Sequence, residues 1–329
     1  MKNNFRKNSI ITYFCDNMKH FQPKTQCQIS LIIATVAVSW ASIFITILLN
    51  PPHNIPAVVI AFWRLFLSVL FLLPFISRKD VRIQFKPFID KSYLGIFALS
   101  GLFLSLHFLS WISSLDPIFG LSVAVSVLIV NSSPIWVVVI SFALLREKIT
   151  FYQLIGLILG FGGLLLISLA SDSQQSSIIL PEGILLASFG AIMVACYFII
   201  GKRMRAHHTV PNIPYVFFVN SFCSLFLFIF AVILGENILT FTLNDMVLFI
   251  ALAIGPSLLG HAMYTYAMKH ISAQTVSLAV IGETVGASIL AWIIFLQVLP
   301  PITLIGGFFI LFGIYLDIKY DISSSSTKD

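Results

Sequence analysis

The sequence predicts an all-α polytopic membrane protein, with ten transmembrane helices arranged as two inverted five-helix repeats around a central cavity. Three observations predict it. The first is ten apolar segments, near 29–49, 55–76, 93–115, 118–143, 151–169, 183–201, 214–234, 246–268, 272–297 and 302–316. The second is composition: 58% of residues are hydrophobic and only 10% charged, and mean hydropathy is near +1. A soluble chain of 329 residues could not bury that much apolar surface. The third is charge placement. With the N-terminus in the cytoplasm, all nineteen Lys and Arg residues except Arg64 fall on one side of the membrane. Segments of about 20 apolar residues match a hydrocarbon core of about 30 Å. They must be helices, because lipid offers no hydrogen-bond partner to an open strand edge.

Residues 1–28 form a polar cytoplasmic tail with Lys2, Arg6, Lys7, Lys19 and Lys24. It resembles the basic start of a signal peptide. However, segment 29–49 is too long for the apolar region of one, and Asn50-Pro51-Pro52 is no small-residue cleavage site, so 29–49 reads as a retained first span. Segment 55–76 returns and ends at Arg78, Lys79, Arg82, Lys86 and Lys91. Segment 93–115 leads out to Asp116, and 118–143, which contains Pro134, leads back to Arg146 and Lys148. Segment 151–169 reaches an external linker, 170–182, with Asp172 and Glu182. Segment 183–201 ends at Lys202, Arg203 and Arg205, and 214–234 reaches Glu236. Segment 246–268 follows Asp245, contains Gly255-Pro256 and ends at Lys269. Segments 272–297 and 302–316 complete the bundle, and the tail 317–329 carries Lys319 and Lys328. Positively charged loops stay cytoplasmic during insertion. Both termini are therefore expected inside a cell (inner) membrane. Residues 1–20 and 323–329 read as disordered tails.

The halves are related. A shift of 150 carries Leu154, Ile155, Gly156, Gly163 and Leu166 onto Leu304, Ile305, Gly306, Gly313 and Leu316. The paired glycines, seven apart at the same depth, are the most informative part of the match. Each half has five spans, and five is odd, so the second half (183–316) enters the membrane upside-down relative to the first (29–169). Such inverted repeats build many secondary transporters, with a site near the midplane and repeats that rock around it.

Four groups of residues resemble a known family. They are Ile60-Ala61-Phe62-Trp63-Arg64-Leu65 in span 2, Pro134-Ile135-Trp136 with Arg146-Glu147-Lys148 around span 4, Gly260-His261-Ala262-Met263-Tyr264 through Ala273 at span 8, and Val276 through Glu283 in span 9. In order and at matching spacing, they resemble the EamA-type transporters of the drug/metabolite transporter superfamily over roughly 29–316. The resemblance implies a ten-helix basket of two inverted units with a central cavity, and export or exchange of small metabolites. The chain departs from the family pattern at Glu283-Thr284, where Glu-Pro is usual. It departs again at Gln297, where Glu is usual, and in a longer turn at Asp116–Leu121.

Candidate site residues follow from polarity at depth. Arg64 lies roughly 13 Å into span 2 at 1.5 Å per residue. A charge there costs at least ~2.5–3.5 kcal/mol, so it should face a cavity or a partner. Its guanidinium suits a carboxylate or phosphate through two parallel hydrogen bonds, or it pairs with Glu283 as a structural pin. Glu283, roughly 16 Å into span 9, is a candidate carrier of a coupling proton. His107 and His261 are intramembrane, and histidine titrates in the useful range. Trp111 and Tyr264 are equivalent at a shift of 153 and are candidates to line the cavity, as are Trp40, Tyr197 and Tyr266. Asn131 and Asn220 are deep polar groups. Substrate-binding candidates are thus Arg64, Trp111, Tyr264, Asn131, His107 and His261, with Glu283 for the proton. Gly156-Leu157-Ile158-Leu159-Gly160 and Gly282 through Gly286 permit close helix packing, within the chain rather than between copies, though a homodimer stays open.

The remaining classes are argued against. The net charge of +6 is explained by topology rather than by nucleic acid. Four cysteines with no CxxC point to no metal and no disulfide framework. No ATP-binding motif is present, and three scattered G-x-S tripeptides are what chance gives. No cofactor is called for, and no obligate protein partner is indicated. The expected partners are the lipid bilayer and a small-molecule substrate. The function expected is a secondary transporter, exporter or exchanger, of small polar or amphipathic metabolites. Amino acids or their derivatives come first, and it works by alternating access. The alternatives are an uptake carrier on the same scaffold or, from another class, a polytopic membrane enzyme.

Overall fold

The computed structural model describes residues 23–119, 121, 123–145, 149–172, 181–296 and 299–325. Among these residues there is no strand, and ten helices are long and apolar enough to cross a membrane. In chain order they are α1 (Thr25–Leu49), α2 (Ala57–Ile76), α3 (Lys91–Ser114), α4 (Val123–Leu144), α5 (Phe151–Leu169), α6 (Pro181–His207), α7 (Asn212–Ile233), α8 (Leu243–Ala267), α9 (Ala273–Ile294) and α10 (Pro301–Asp321). All ten overlap the segments expected from hydropathy. Arg146, Lys148 and Gln297, and most of the linker, lie outside the described residues.

The helices expose their apolar residues outward as well as inward. Ile32, Val36, Leu144, Val232, Ile233 and Leu304 are among many exposed large hydrophobics. In water that pattern would be an aggregation hazard, whereas against lipid tails it is the solvated face. Polar residues turn inward instead, Ser100, Ser105, Ser126, Thr265 and Ser277 being fully or almost fully buried.

Glycines set the closest crossing. α5 and α10 run antiparallel and touch through their backbones. A Cβ built at Gly156 would lie 2.8 Å from the Gly313 carbonyl oxygen, and one at Gly313 only 2.6 Å from that of Gly156. Gly163 and Gly306 repeat the contact two turns on, a Cβ at Gly306 lying 2.6 Å from the Gly163 carbonyl oxygen. Without side chains at these positions the helices interlock, and dispersion can act over the whole crossing. The small-residue patterns thus serve packing inside one chain. Gly282 and Gly286 of α9 likewise accept Thr35 and Ser39 of α1.

Three of the helices are irregular at mid-depth. α1 is interrupted by a turn at Ser39-Trp40, where Ser39 Oγ donates to the Thr35 carbonyl at 2.7 Å. α4 breaks at Asn131-Ser132, and Pro134 sits in the first turn of its second half. Proline has no amide hydrogen to donate and clashes with the carbonyl four residues back, here that of Val130. α8 widens into a π-helix over Ala253–His261 around Pro256. α9, by contrast, runs as one α-helix through Glu283-Thr284, because threonine keeps the amide that the family's usual proline lacks.

Call the side with the basic loops the basic face and the other the acidic face. Three charges expected in loops are built into the bundle. Asp245 is 1% exposed; it forms a capping box with Thr242 at the start of α8 and pairs with His53 of the α1–α2 loop. Arg205 is buried because α6 continues past it; it donates to the carbonyls of Thr265, at 2.9 Å, and Val210. Lys202 Nζ donates to the Met268 and Ile271 carbonyls at 3.1 and 2.8 Å, and so caps the open C-terminal end of α8. The last helix also outruns its expected end at 316, continuing to Ser325.

Candidate functional site

The irregular stretches surround one central pocket. Its walls come from α1 (Val38, Ala41), α2 (Arg64), α3 (His107, Trp111), α4 (Val130, Asn131, Ser133), α6 (Val194, Phe198), α8 (His261, Tyr264) and α9 (Val280, Glu283). The cavity between them is small in this state, about 30 Å³. All seven candidate residues line this one pocket: Arg64, His107, Trp111, Asn131, His261, Tyr264 and Glu283. The other candidates lie elsewhere. Trp40 stacks on Phe44 at 5.6 Å beside an outer, apolar groove. Asn220 donates to Ser68 Oγ at 2.9 Å, and Tyr266 donates to Gln26 at 3.0 Å at the basic face. Tyr197 packs beside His261, with ring centres 6.3 Å apart, behind the wall.

Arg64 is 1% exposed. Its Nε donates to Ser257 Oγ at 3.0 Å, and its guanidinium carbon lies 4.2 Å from the centre of the Phe108 ring. Both contacts hold the planar group in one orientation. Its Nη1 is buried with no hydrogen-bond partner. Glu283 accepts a long bond from Asn131 Nδ2, at 3.4 Å. Among the described residues no ion pair joins Arg64 to Glu283, although both face the pocket. The pocket therefore holds a cation and a carboxyl within electrostatic reach of each other but without a direct ion pair.

Two further polar atoms are left open. Trp111 Nε1 and His261 Nδ1 are buried without partners. His107 is committed instead: its Nδ1 lies 2.9 Å from the Gly190 carbonyl. A carbonyl only accepts, so that nitrogen carries the hydrogen. Its ring stacks on Trp111 with centres 5.9 Å apart. Buried polar groups are normally satisfied. Three orphaned ones belong to residues that line this one pocket.

The basic-face side of the pocket is closed by side chains. Thr35 Oγ1 of α1 donates to the Ala279 carbonyl of α9 and meets the Tyr264 hydroxyl of α8, both at 3.3 Å. Beyond Glu283 toward the acidic face, no side-chain hydrogen bond ties α9 to another helix among the described residues. Sequence reasoning missed Ser257 and Thr35. A serine in an apolar helix usually bonds its own backbone, and nothing local distinguishes the one that reaches a neighbour. No group of three His, Cys, Asp or Glu able to hold a metal ion occurs among the described residues. Cys27, Cys196 and Cys223 are free thiols.

Comparisons with known proteins agree with this architecture. The EamA-like transporter family matches residues 28–169 and 181–318, once for each half. An uncharacterized transporter of Archaeoglobus fulgidus is 26% identical over 257 residues, covering 78% of this chain and 85% of its own length. The uncharacterized transporter YoaV of Bacillus subtilis is 33% identical over 142 residues, 43% of this chain and 46% of its own. One crystal structure superposes with a TM-score of 0.69 over 91% of this chain and 98% of its own, at 15% identity, a likeness of fold alone.

Proposed function

The chain belongs to the EamA-like transporter family and is a multi-pass membrane transporter, and from that premise we propose that it moves amino acids or close derivatives by alternating access, as an exporter or exchanger. The observation that carries this is Arg64, with an unpartnered Nη1, and Glu283 on one pocket with no direct ion pair between them. A zwitterion supplies what both lack. Its carboxylate meets Arg64 Nη1, with the Trp111 and His261 nitrogens beside it, and its ammonium meets Glu283. Val38, Val130, Val194, Phe198 and Val280 line the same space and favour an apolar side chain.

Two features support the alternating-access part. The α5–α10 contacts are exchanged between halves: Gly156 meets Gly313 and Gly163 meets Gly306. That is the pattern an approximate two-fold relation between the halves requires, and it favours the inverted-repeat reading. The Thr35, Tyr264 and Ala279 bonds lie on the basic-face side of the pocket, where a gate of one state of a two-sided carrier would sit. With the basic face cytoplasmic, as the charge rule requires, this is a cytoplasm-closed state. Glu283 is the group we assign to a coupling proton. A carboxyl that binds either a proton or the substrate ammonium exchanges one for the other across the membrane.

The test is competition and mutation in proteoliposomes. Zwitterionic amino acids should compete in counterflow, while their amides and N-acyl forms, each missing one charge, should not. Arg64→Lys should be nearly as inactive as Arg64→Ala, because an ammonium cannot reproduce the planar fork. Glu283→Gln should end the response to a pH gradient. Full transport by Arg64→Ala would remove the carboxylate clamp, and a wild-type pH response in Glu283→Gln would remove the proton role.

A further inference from the structure

The basic-face end of α10 carries two buried acids one helical turn apart, Asp317 and Asp321, at 0% and 9% exposure. They differ in what surrounds them. Asp321 Oδ2 accepts the backbone N–H of Ser272 at 2.8 Å, and its Oδ1 accepts from Gln153 Nε2 at 3.2 Å. Ser272 is the N-cap of α9, so this carboxylate also sits at the positive end of a helix. Both Asp321 oxygens thus accept hydrogen bonds. Asp317, one turn deeper, has neither oxygen hydrogen-bonded. The Thr275 hydroxyl stands beside it without reaching hydrogen-bonding geometry. A second buried polar atom nearby in sequence, Gln274 Nε2 in the first turn of α9, is also without a partner.

Among the described residues, the charged groups around the pair are few. Asp321 and Lys319 share α10 with Asp317, and the Lys319 ammonium lies over the Tyr315 and Tyr320 rings. Cys27 of α1 lies within electrostatic reach of both Asp321 and Lys202 of α6, and Lys202 spends two hydrogen bonds on the α8 carbonyls. α5 presents Gly156 and Gln153, and α9 presents Gln274 and Thr275, all uncharged. A bare carboxylate in such a place is strongly disfavoured, so it takes a counter-ion or a proton. Space decides between them. A Cβ at Gly156 would lie 3.2 Å from the Asp317 Cβ, so the helices are packed too closely here for a metal ion and its shell of six or so oxygens. A proton needs no room.

We propose that Asp317 is a proton-binding site separate from the central pocket. Its carboxyl is held as the neutral acid while α5, α9 and α10 are packed at the basic face. When the Ser272 to Asp321 contact opens and water enters, the O–H bond breaks; the proton passes to that water and leaves a carboxylate. The protonation state of Asp317 is thereby tied to whether the basic face is closed. The site itself rests on this packing alone. Its meaning for transport rests on the alternating-access reading above.

Infrared spectroscopy of the purified chain in detergent, with isotope-labelled aspartate, tests the site without needing a substrate. A protonated-carboxyl band that shifts with the aspartate label is expected at neutral pH. Asp317→Asn should abolish it, whereas Asp321→Asn and Glu283→Gln should leave it in place. Absence of the band in the wild type, or its survival in Asp317→Asn, would overturn the proposal. So would its loss on adding sodium ions at constant pH, which would mark a metal-cation site. If Asp317→Asn does not fold, the wild-type band, its insensitivity to sodium and its survival in Asp321→Asn and Glu283→Gln still decide. Transport failing while the band behaves as expected would count against the function proposed above and not against this site.

Discussion

Gly162 and Gly163 are neighbours in the same helix, yet a methyl group should have opposite effects at the two positions. At Gly162 an added Cβ meets no atom within 4 Å. Gly162→Ala should therefore gain the helix preference of alanine over glycine, ~0.8–1.0 kcal/mol. At Gly163 the same Cβ runs into the Gly306 carbonyl and lies 3.0 Å from both the side chain and the backbone nitrogen of Ile310. Backbone cannot swing aside, so α5 and α10 must separate along their whole crossing. Overpacking of this kind costs ~1–3 kcal/mol. Both substitutions share the propensity gain, so their difference isolates that packing cost. Gly306→Ala should be as damaging as Gly163→Ala, since its Cβ lies 2.6 Å from the Gly163 carbonyl and 2.8 Å from Ile167. The double variant should cost less than the sum, because one separation relieves both contacts. Thermal unfolding in detergent reads all four. Equal melting of the Gly162, Gly163 and Gly306 single variants would refute the crossing, and with it the exchanged contacts that relate the halves.

Other outcomes follow from the same geometry. With both termini cytoplasmic, reporters fused at Asp172 and Glu236 should read external and those at Lys86 and Arg205 internal; an internal signal at Asp172 would sink the ten-span orientation. In a background without the four native cysteines, Trp111→Cys should react with a small hydrophilic thiol reagent. Tyr264→Cys, beside the Thr35 closure, should react more slowly, and amino acid should protect both; inertness at both positions would remove the aqueous path. His270, in the loop before α9, is half-buried, and burial together with Lys269, Arg205 and Lys202 holds its pKa below the ordinary 6.5. The unfolded chain then takes up the proton first as pH falls, so the contribution of His270 to stability is intact above about 6.5 and is lost below it. Melting temperature should drop on acidification through that range, and His270→Gln should reduce the drop; identical slopes in both proteins would contradict the assignment.

The ten spans, the family and seven of the fourteen residues that line the pocket were legible in the sequence, for a physical reason. Lipid is a one-dimensional selector: it demands unbroken apolar lengths and penalises any polar residue placed at depth. Arg64, Glu283, His107, His261 and Asn131 stood out because such residues are excluded from lipid contact wherever the helix turns. The glycines spaced seven apart were legible as a repeat, and Pro134 and Gly255-Pro256 as breaks beside a cavity. What hydropathy leaves open is rotation, since a helix of given composition can turn any face to any neighbour. Only the tertiary structure decided that Arg64 binds Ser257 and Phe108 and makes no direct ion pair with Glu283. It also decided that Gly156 meets Gly313 rather than Gly306. Asp245, Arg205 and Asp317 read as loop or tail charges because they lie within a few residues of a predicted helix end. The helices run past those ends and carry them into the bundle. There the charge of each depends on which backbone groups and side chains of other helices happen to face it, and no spacing along the chain records that.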